Sequence, residues 1–253
     1  MQTQNVQGHV SEDEWNARVE LAASYRLIAH YGMSDLVYNH ITSIVPGHHG
    51  EFLINPYGML YEEITASCLI KINLAGDVLF NPNESYGINP AGYVIHSAIH
   101  GARPDVGCVI HTHTRAGVAV SALECGLLPL TQTSMRFGDV TYHDYEGVAL
   151  ELDERERLVA DLGSSNVMVL RNHGLLTAGP SVPEAFNTMY WLEMACRIQL
   201  DALACNSKLN MPSDAVASKT AHLYQPHVRR PYGIMEWPAM LRLLDRRDTS
   251  YRT

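Results

Sequence analysis

Long apolar runs are missing from this 253-residue sequence. Nowhere do about 18 apolar residues stand together, so no transmembrane helix is expected. The segment Met1 to Val10 lacks the apolar core of a signal peptide. Cysteine is sparse: the five residues at 68, 108, 125, 196 and 205 are odd in number and form no C-x-x-C. Cys108 and Cys196 fall inside apolar segments, as buried free thiols do. A disulfide framework is thereby excluded, and a reducing, cytoplasmic location is expected. Positive charge is also short, with 18 Lys and Arg against 27 Asp and Glu, a net charge of −9. Its only clusters, Arg229-Arg230 and Arg242 with Arg246-Arg247, lie near the C-terminus and make no stripe for nucleic acid. No Ser/Gly tract, charge block or repeat divides the chain. A hydrophobic content of 46% suffices for one sizeable core. The expected organisation is one domain over 1–206. A loosely attached tail, 207–253, should carry a short helix that packs on that domain or on a neighbouring subunit.

Local patterns place the elements. Ser11 with Glu14 is a capping box, and Leu21, Ala22, Tyr25, Leu27 and Ile28 carry a helix to about residue 30. Strand-like runs at 40–45, 51–55, 68–73 and 78–80 are separated by turn residues and read as antiparallel. A helix from Pro90 to about His100 precedes a strand at 107–113 and a helix from Arg115 to about Cys125. Strands at 139–143 and 166–171 flank a charged helix that begins at Asp153. Ser181 with Glu184 opens a long helix to about Ala204, and a last short helix follows Pro238. This alternation, without a clean βαβ repeat, predicts an α/β fold with helices on both faces of a mixed sheet.

His111 and His113 end the apolar run Gly107 to Ile110. Residues i and i+2 of a strand share a face, so two imidazoles leave the strand end together. A second apolar run, Asn166 to Leu170, ends in Arg171-Asn172-His173-Gly174. Two strand ends that deliver histidine predict one metal site, with His111, His113 and His173 as ligands. Three protein nitrogens leave positions open for water or substrate, the pattern of a catalytic metal. The same set also suits iron(II) and oxygen activation. His96 and His100 lie one turn apart on one helix face, and His96 is a candidate catalytic group beside the metal. Tyr142, in the polar stretch Tyr142 to Tyr145, is a second candidate acid or base. Arg115 and Arg171 are candidates to clamp a substrate carboxylate or phosphate. The plainer reading makes each an ion-pair partner at a helix or strand end.

Together, His111-Thr112-His113, Cys125-Gly126-Leu127-Leu128-Pro129 and Arg171-Asn172-His173-Gly174 make the chain resemble the class II aldolase/adducin family from about residue 15 to 205. Asn89 to Gly92 with His96, and Tyr142 to Gly147, bring it nearest the adducin-like branch. The resemblance implies a three-layer α/β/α fold around a mixed, largely antiparallel sheet. It also implies a homotetramer with sites at subunit contacts. A divalent metal is implied on His111, His113 and His173, zinc first, with manganese and iron as alternatives. The implied activity is a lyase that polarises a substrate carbonyl through that metal. The adducin heads keep much of this pattern without a known catalytic role, so a non-catalytic scaffold is the alternative.

Several positions depart from the pattern of the sugar-phosphate aldolases. Their catalytic carboxylate corresponds to Gly92, which can neither ligate a metal nor move a proton. Another group, such as His96 or Tyr142, would have to replace it. Their phosphate-holding Thr-Gly and Ser-Ser positions read Tyr57-Gly58 and Pro90-Ala91 here, while Asn39 fits a third. Asn39 and Gly58 therefore join Arg115 and Arg171 as substrate-binding candidates, for a small, non-phosphorylated oxo or hydroxy acid. A small molecule is the expected partner, with neither nucleic acid nor membrane.

Overall fold

The computed structural model describes residues 6–147 and 154–253. Asp153, the expected start of the charged helix, lies outside the described residues. The strands are β1 (His40–Ile44), β2 (Glu51–Ile54), β3 (Ile70–Asn73), β4 (Val78–Phe80), β5 (Cys108–Thr112), β6 (Thr141–His143), β7 (Val167–Leu170) and β8 (Gly174–Gly179). They form one sheet in the order β4-β3-β2-β1-β5-β8-β7-β6. Each neighbouring pair is antiparallel except β6 with β7. The longer helices are α1 (Glu12–His30), α2 (Pro90–Ala102), α3 (Arg115–Ser121), α4 (Gln132–Met135), α5 (Glu154–Leu162), α6 (Val182–Ala204), α7 (Asp214–Tyr224) and α8 (Trp237–Asp245).

Alternation along β5 sorts the two faces of the sheet. Cys108 and Ile110 join the core built with α1 and α6, through Leu21, Ile28, Ala185, Met189 and Leu192. Val109 points the other way, to Ile95 and Ile99 of α2 and Leu158 and Leu162 of α5. Each such side chain, removed from water, contributes roughly 1.5–3 kcal/mol. The mixed sheet with helices on both faces is thus the predicted three-layer α/β/α fold. Continuing the alternation, His111 must project on the α2 face.

The N-terminal half is pinned by a buried cation. Arg18 on α1 is 0% exposed and pairs with Glu14, while its guanidinium also donates to the Leu69 carbonyl at 2.8 Å. Half of the expected capping box forms: Ser11 Oγ accepts from the Glu14 amide at 3.1 Å, while the Glu14 carboxylate is held by Arg18 and Lys71.

Four elements differ from expectation, one of them α7, which lies in the tail where a single short helix is expected. The segment Gly174–Gly179 is a fully buried strand, β8, inserted between β5 and β7. The helix after His113 stops at Ser121 rather than Cys125, and the short α4 follows. The tail is not loosely attached. Trp237, Leu244 and Tyr251 are buried in the core with α1, and Arg26 donates to Asp248 and Ser250. Tyr251, near the C-terminus, is 0% exposed within its own chain, and its hydroxyl donates to Asp245 at 2.8 Å.

Candidate metal centre

The β7–β8 hairpin brings the third histidine to the other two. Leu170 pairs with Gly174 across the hairpin, and Asn172 sits in its turn at φ +57°, a conformation that asparagine tolerates. Gly174 lies so close to β5 that a Cβ there would run into the Thr112 carbonyl. The hairpin can therefore press His173 against the end of β5.

The three side chains converge. His111 Nε2 lies 2.7 Å from His113 Nε2, which lies 3.0 Å from His173 Nε2. Ring centroids are 4.5–4.8 Å apart. Among the described residues they form the one group of this kind able to hold a metal ion. The opposite ring edges decide the tautomers. His111 Nδ1 faces the Leu175 carbonyl at 2.9 Å, and His113 Nδ1 faces Asp35 at 3.0 Å. Both partners are acceptors, so each Nδ1 carries the hydrogen, and in the neutral ring each Nε2 then presents a bare lone pair. Two lone pairs 2.7 Å apart repel unless a proton or a cation lies between them. A neutral imidazole whose far N–H is held by a carbonyl or carboxylate is the usual dress of a metal ligand. The donor set fits a divalent ion such as zinc, manganese or iron.

Two of the three rings resist protonation. Burial, followed by repulsion from neighbouring imidazoles, holds His111 well below the ordinary histidine value. His173 is lowered to about 4, again by burial first and His113 second.

The other predicted residues are placed as follows. His96 is fully buried on α2, outside the converging set, with Nδ1 2.7 Å from Thr42 Oγ1. The same hydroxyl meets His100 Nε2 at 2.8 Å, so Thr42 ties both histidines of the helix face to β1. Tyr142 is engaged elsewhere: its hydroxyl accepts from the Leu127 amide at 3.0 Å, and the Arg171 guanidinium lies over its ring at 4.5 Å. Arg171 also donates to the Leu123 carbonyl and stands 3.6 Å from Asp144. Arg115 opens α3, exposed and without an ion-pair partner among the described residues. Gly58 lies in an exposed turn after β2 beside Tyr86, two strands from β5. Asn39, 1% exposed at the start of β1, has neither amide atom hydrogen bonded.

Two site residues escaped the sequence reading. Asp35 sits in an irregular loop with no motif around it. His40 opens β1 directly opposite His111, and opposed residues of antiparallel strands share a face. Only the register reveals it. Burial lowers the His40 ring to about 3, with His113 and His173 adding repulsion and the Tyr38 backbone partly opposing.

A mixed sheet brings three imidazoles to one point, in the arrangement of a candidate metal site. The chain belongs to the class II aldolase and adducin N-terminal domain family, whose model matches residues 19–200. The crystal structure of an aldolase II superfamily protein from Pseudomonas syringae superposes with a TM-score of 0.92 at 49% identity, covering 99% of this chain and 100% of that one. L-fuculose 1-phosphate aldolase from Glaciozyma antarctica PI12 gives a TM-score of 0.83 at 30% identity, over 96% of this chain and 93% of that one. Alpha-adducin of Mus musculus is 48% identical over 188 residues, 74% of this chain but 26% of the adducin. Membership in this family supports a metal-dependent, aldolase-like lyase in general terms, and the adducin relatives leave a non-catalytic role open. No helix among the described residues is long and apolar enough to cross a membrane.

Proposed function

We propose that the chain is a metal-dependent lyase that breaks a C–C bond in a small, non-phosphorylated oxo or hydroxy acid, by aldol cleavage or decarboxylation. The observation that carries this reading is the pair of bare Nε2 lone pairs on His111 and His113, held 2.7 Å apart with His173 beside them. A divalent ion held there, zinc in this proposal and manganese or iron as alternatives, supplies Lewis-acid polarisation of a substrate carbonyl. The chain's own residues do the rest. The Leu175 carbonyl and Asp35 fix two of the rings. Asn39 offers an amide unpaired among the described residues, and Arg115 an exposed guanidinium for a carboxylate. His96, on the α2 face and bonded to Thr42 of β1, supports the site from its side, and Tyr142 stacks under the Arg171 guanidinium.

The non-phosphorylated substrate rests on what positions 57 and 90 lack. Neither Tyr57, exposed in its turn, nor Pro90 supplies the short hydroxyl donors of a phosphate cradle. Each charge-assisted hydrogen bond forgone costs roughly 1.5–3 kcal/mol. The proposed assembly is a homotetramer in the cytoplasm, with a small molecule as its partner. Residues 1–206 form the proposed catalytic domain, and 207–253 an appendage that packs on it.

A second reading, a non-catalytic adducin-type module, is favoured by the 48% identity to alpha-adducin and by the absence of a carboxylate at Gly92. Elemental analysis of protein purified without chelators separates the two. About one zinc, manganese or iron per chain is expected, and its loss in the His111→Ala/His113→Ala variant. Screening 2-oxo and hydroxy acids for cleavage products then identifies the substrate. No bound ion after incubation with excess metal would overturn the lyase. Oxygen-dependent turnover with iron as the best metal would replace it with the three-histidine oxygenase.

A further inference from the structure

Two consecutive residues at the start of β1 carry buried polar atoms without a well-formed hydrogen bond among the described residues: both amide atoms of Asn39 and both ring nitrogens of His40, which only the Tyr38 backbone approaches. Asn39 is 1% exposed and His40 3%. An unpaired buried donor or acceptor is costly, so it calls for a reason, among them an ordered water, stored strain or a bound molecule.

His40 is not free to turn away. Its ring stands edge-on to His96, with centroids 4.5 Å apart, and is tilted against His111 at 5.3 Å. The helix backbone closes a third side. A Cβ on Gly92 would lie 2.6 Å from His40 Nδ1 and 2.7 Å from Cγ. Position 92 is bare because the imidazole fills the space its side chain would take. The β1–β5 register puts His40 opposite His111, so both rings leave the sheet on the α2 face. Yet His40 is not one of the three converging ligands. It stands beside them.

We infer that His40 is a substrate-contacting residue of this site, its ring N–H donating a hydrogen bond to an oxygen of the small acid seated beside the three histidines. The inference rests on the proposed reading of that site. A neutral imidazole keeps one donor and one acceptor. A fixed donor aimed at an oxygen where negative charge develops stabilises that charge more than the uncharged ground state. The ring proton stays on nitrogen throughout.

The test uses the full chain loaded with cobalt(II), whose visible absorption reports its ligands, titrated with oxalate as the probe. His40→Leu fills the volume without a donor, and His40→Gln restores an N–H. Gly92→Ala leaves His40 in the sequence but displaces its ring. All are expected to load about one cobalt per chain with the wild-type spectrum. Oxalate should bind His40→Leu and Gly92→Ala about tenfold more weakly, the scale of one hydrogen bond to a charged group, and His40→Gln should recover most of the loss. Should His40→Leu fail to fold, Gly92→Ala and His40→Gln decide. Unchanged oxalate affinity in these variants overturns the inference. Loss of cobalt from a folded His40→Leu also overturns it, by making His40 a ligand. Wild-type protein that holds cobalt but ignores oxalate refutes the role of His40 and leaves the metal centre standing. Wild-type protein that holds no cobalt refutes the metal centre itself.

Discussion

Asp35 stands behind His113, with Oδ2 3.0 Å from the ring Nδ1. The loop between α1 and β1 thereby reaches across to the end of β5 and fixes which nitrogen of His113 is bare. Asp35→Asn removes the charge that holds this tautomer. Zinc affinity should fall about 10- to 100-fold, the usual cost of losing such a partner. The Asp35 side chain is 41% exposed, so thermal stability should change little. Competition with a chromogenic chelator measures the first effect. An unchanged dissociation constant would mean that Asp35 does not orient the ligand.

Acid should unfold the metal-free protein through its buried histidines. The folded chain holds His40 near 3 and His100 near 4, both chiefly by burial, whereas an unfolded histidine titrates near 6.5. Between those values the unfolded chain binds protons that the folded chain refuses. Stability therefore falls as pH drops below about 6.5, and these groups stop contributing to the slope only below their folded values. Each adds a slope of about 1.4 kcal/mol per pH unit within that window and none well above it. Urea midpoints of chelator-treated protein at about pH 8, 6 and 5 test the sign. A midpoint that stays flat would contradict the buried, uncharged rings.

Arg18→Met should be among the most damaging single changes outside the site. It removes the partner of Glu14, 4% exposed, and leaves the Leu69 carbonyl without its donor. Lys71, 3.0 Å from Glu14 Oε2, retains part of the compensation. Breaking a buried pair from one side costs about 3–5 kcal/mol, and Lys71 argues for the lower end. Equilibrium denaturation measures it, and a loss below about 1 kcal/mol would refute the pinning role.

Tyr251→Ala distinguishes a residue of its own core from one lent to a neighbour's site. Emptying a fully buried aromatic position costs about 3–5 kcal/mol. Metal stoichiometry should be unchanged at temperatures where the variant stays folded. Wild-type stability combined with an altered site would reverse the assignment.

Some of the site was legible before any coordinates. His111 and His113 share a face because a strand alternates every two residues, and the apolar run before them marks the strand. The helix starts at Ser11 and Ser181 follow from residues three positions apart. Other parts were not. Gly174–Gly179 lacks the β-branched enrichment of a strand and is bounded by glycines, so β8 did not announce itself. No α7 side chain is buried, and its short apolar positions, such as Ala217 and Ala221, mark the helix only weakly. Asp35 and His40 have no local signature at all.

The sequence by itself determined which strand ends carry imidazole, where the main helices begin, and that one metal-sized cluster could be built from His111, His113 and His173. Capping and strand alternation act over two to four residues, so they survive without the fold. Only the tertiary structure decided that β8 separates β5 from β7 and that Asp35 orients His113. It alone put His40 in the space beside Gly92. Those relationships join residues dozens of positions apart, and they depend on strand order, register and close packing, which exist only once the sheet has closed against its helices.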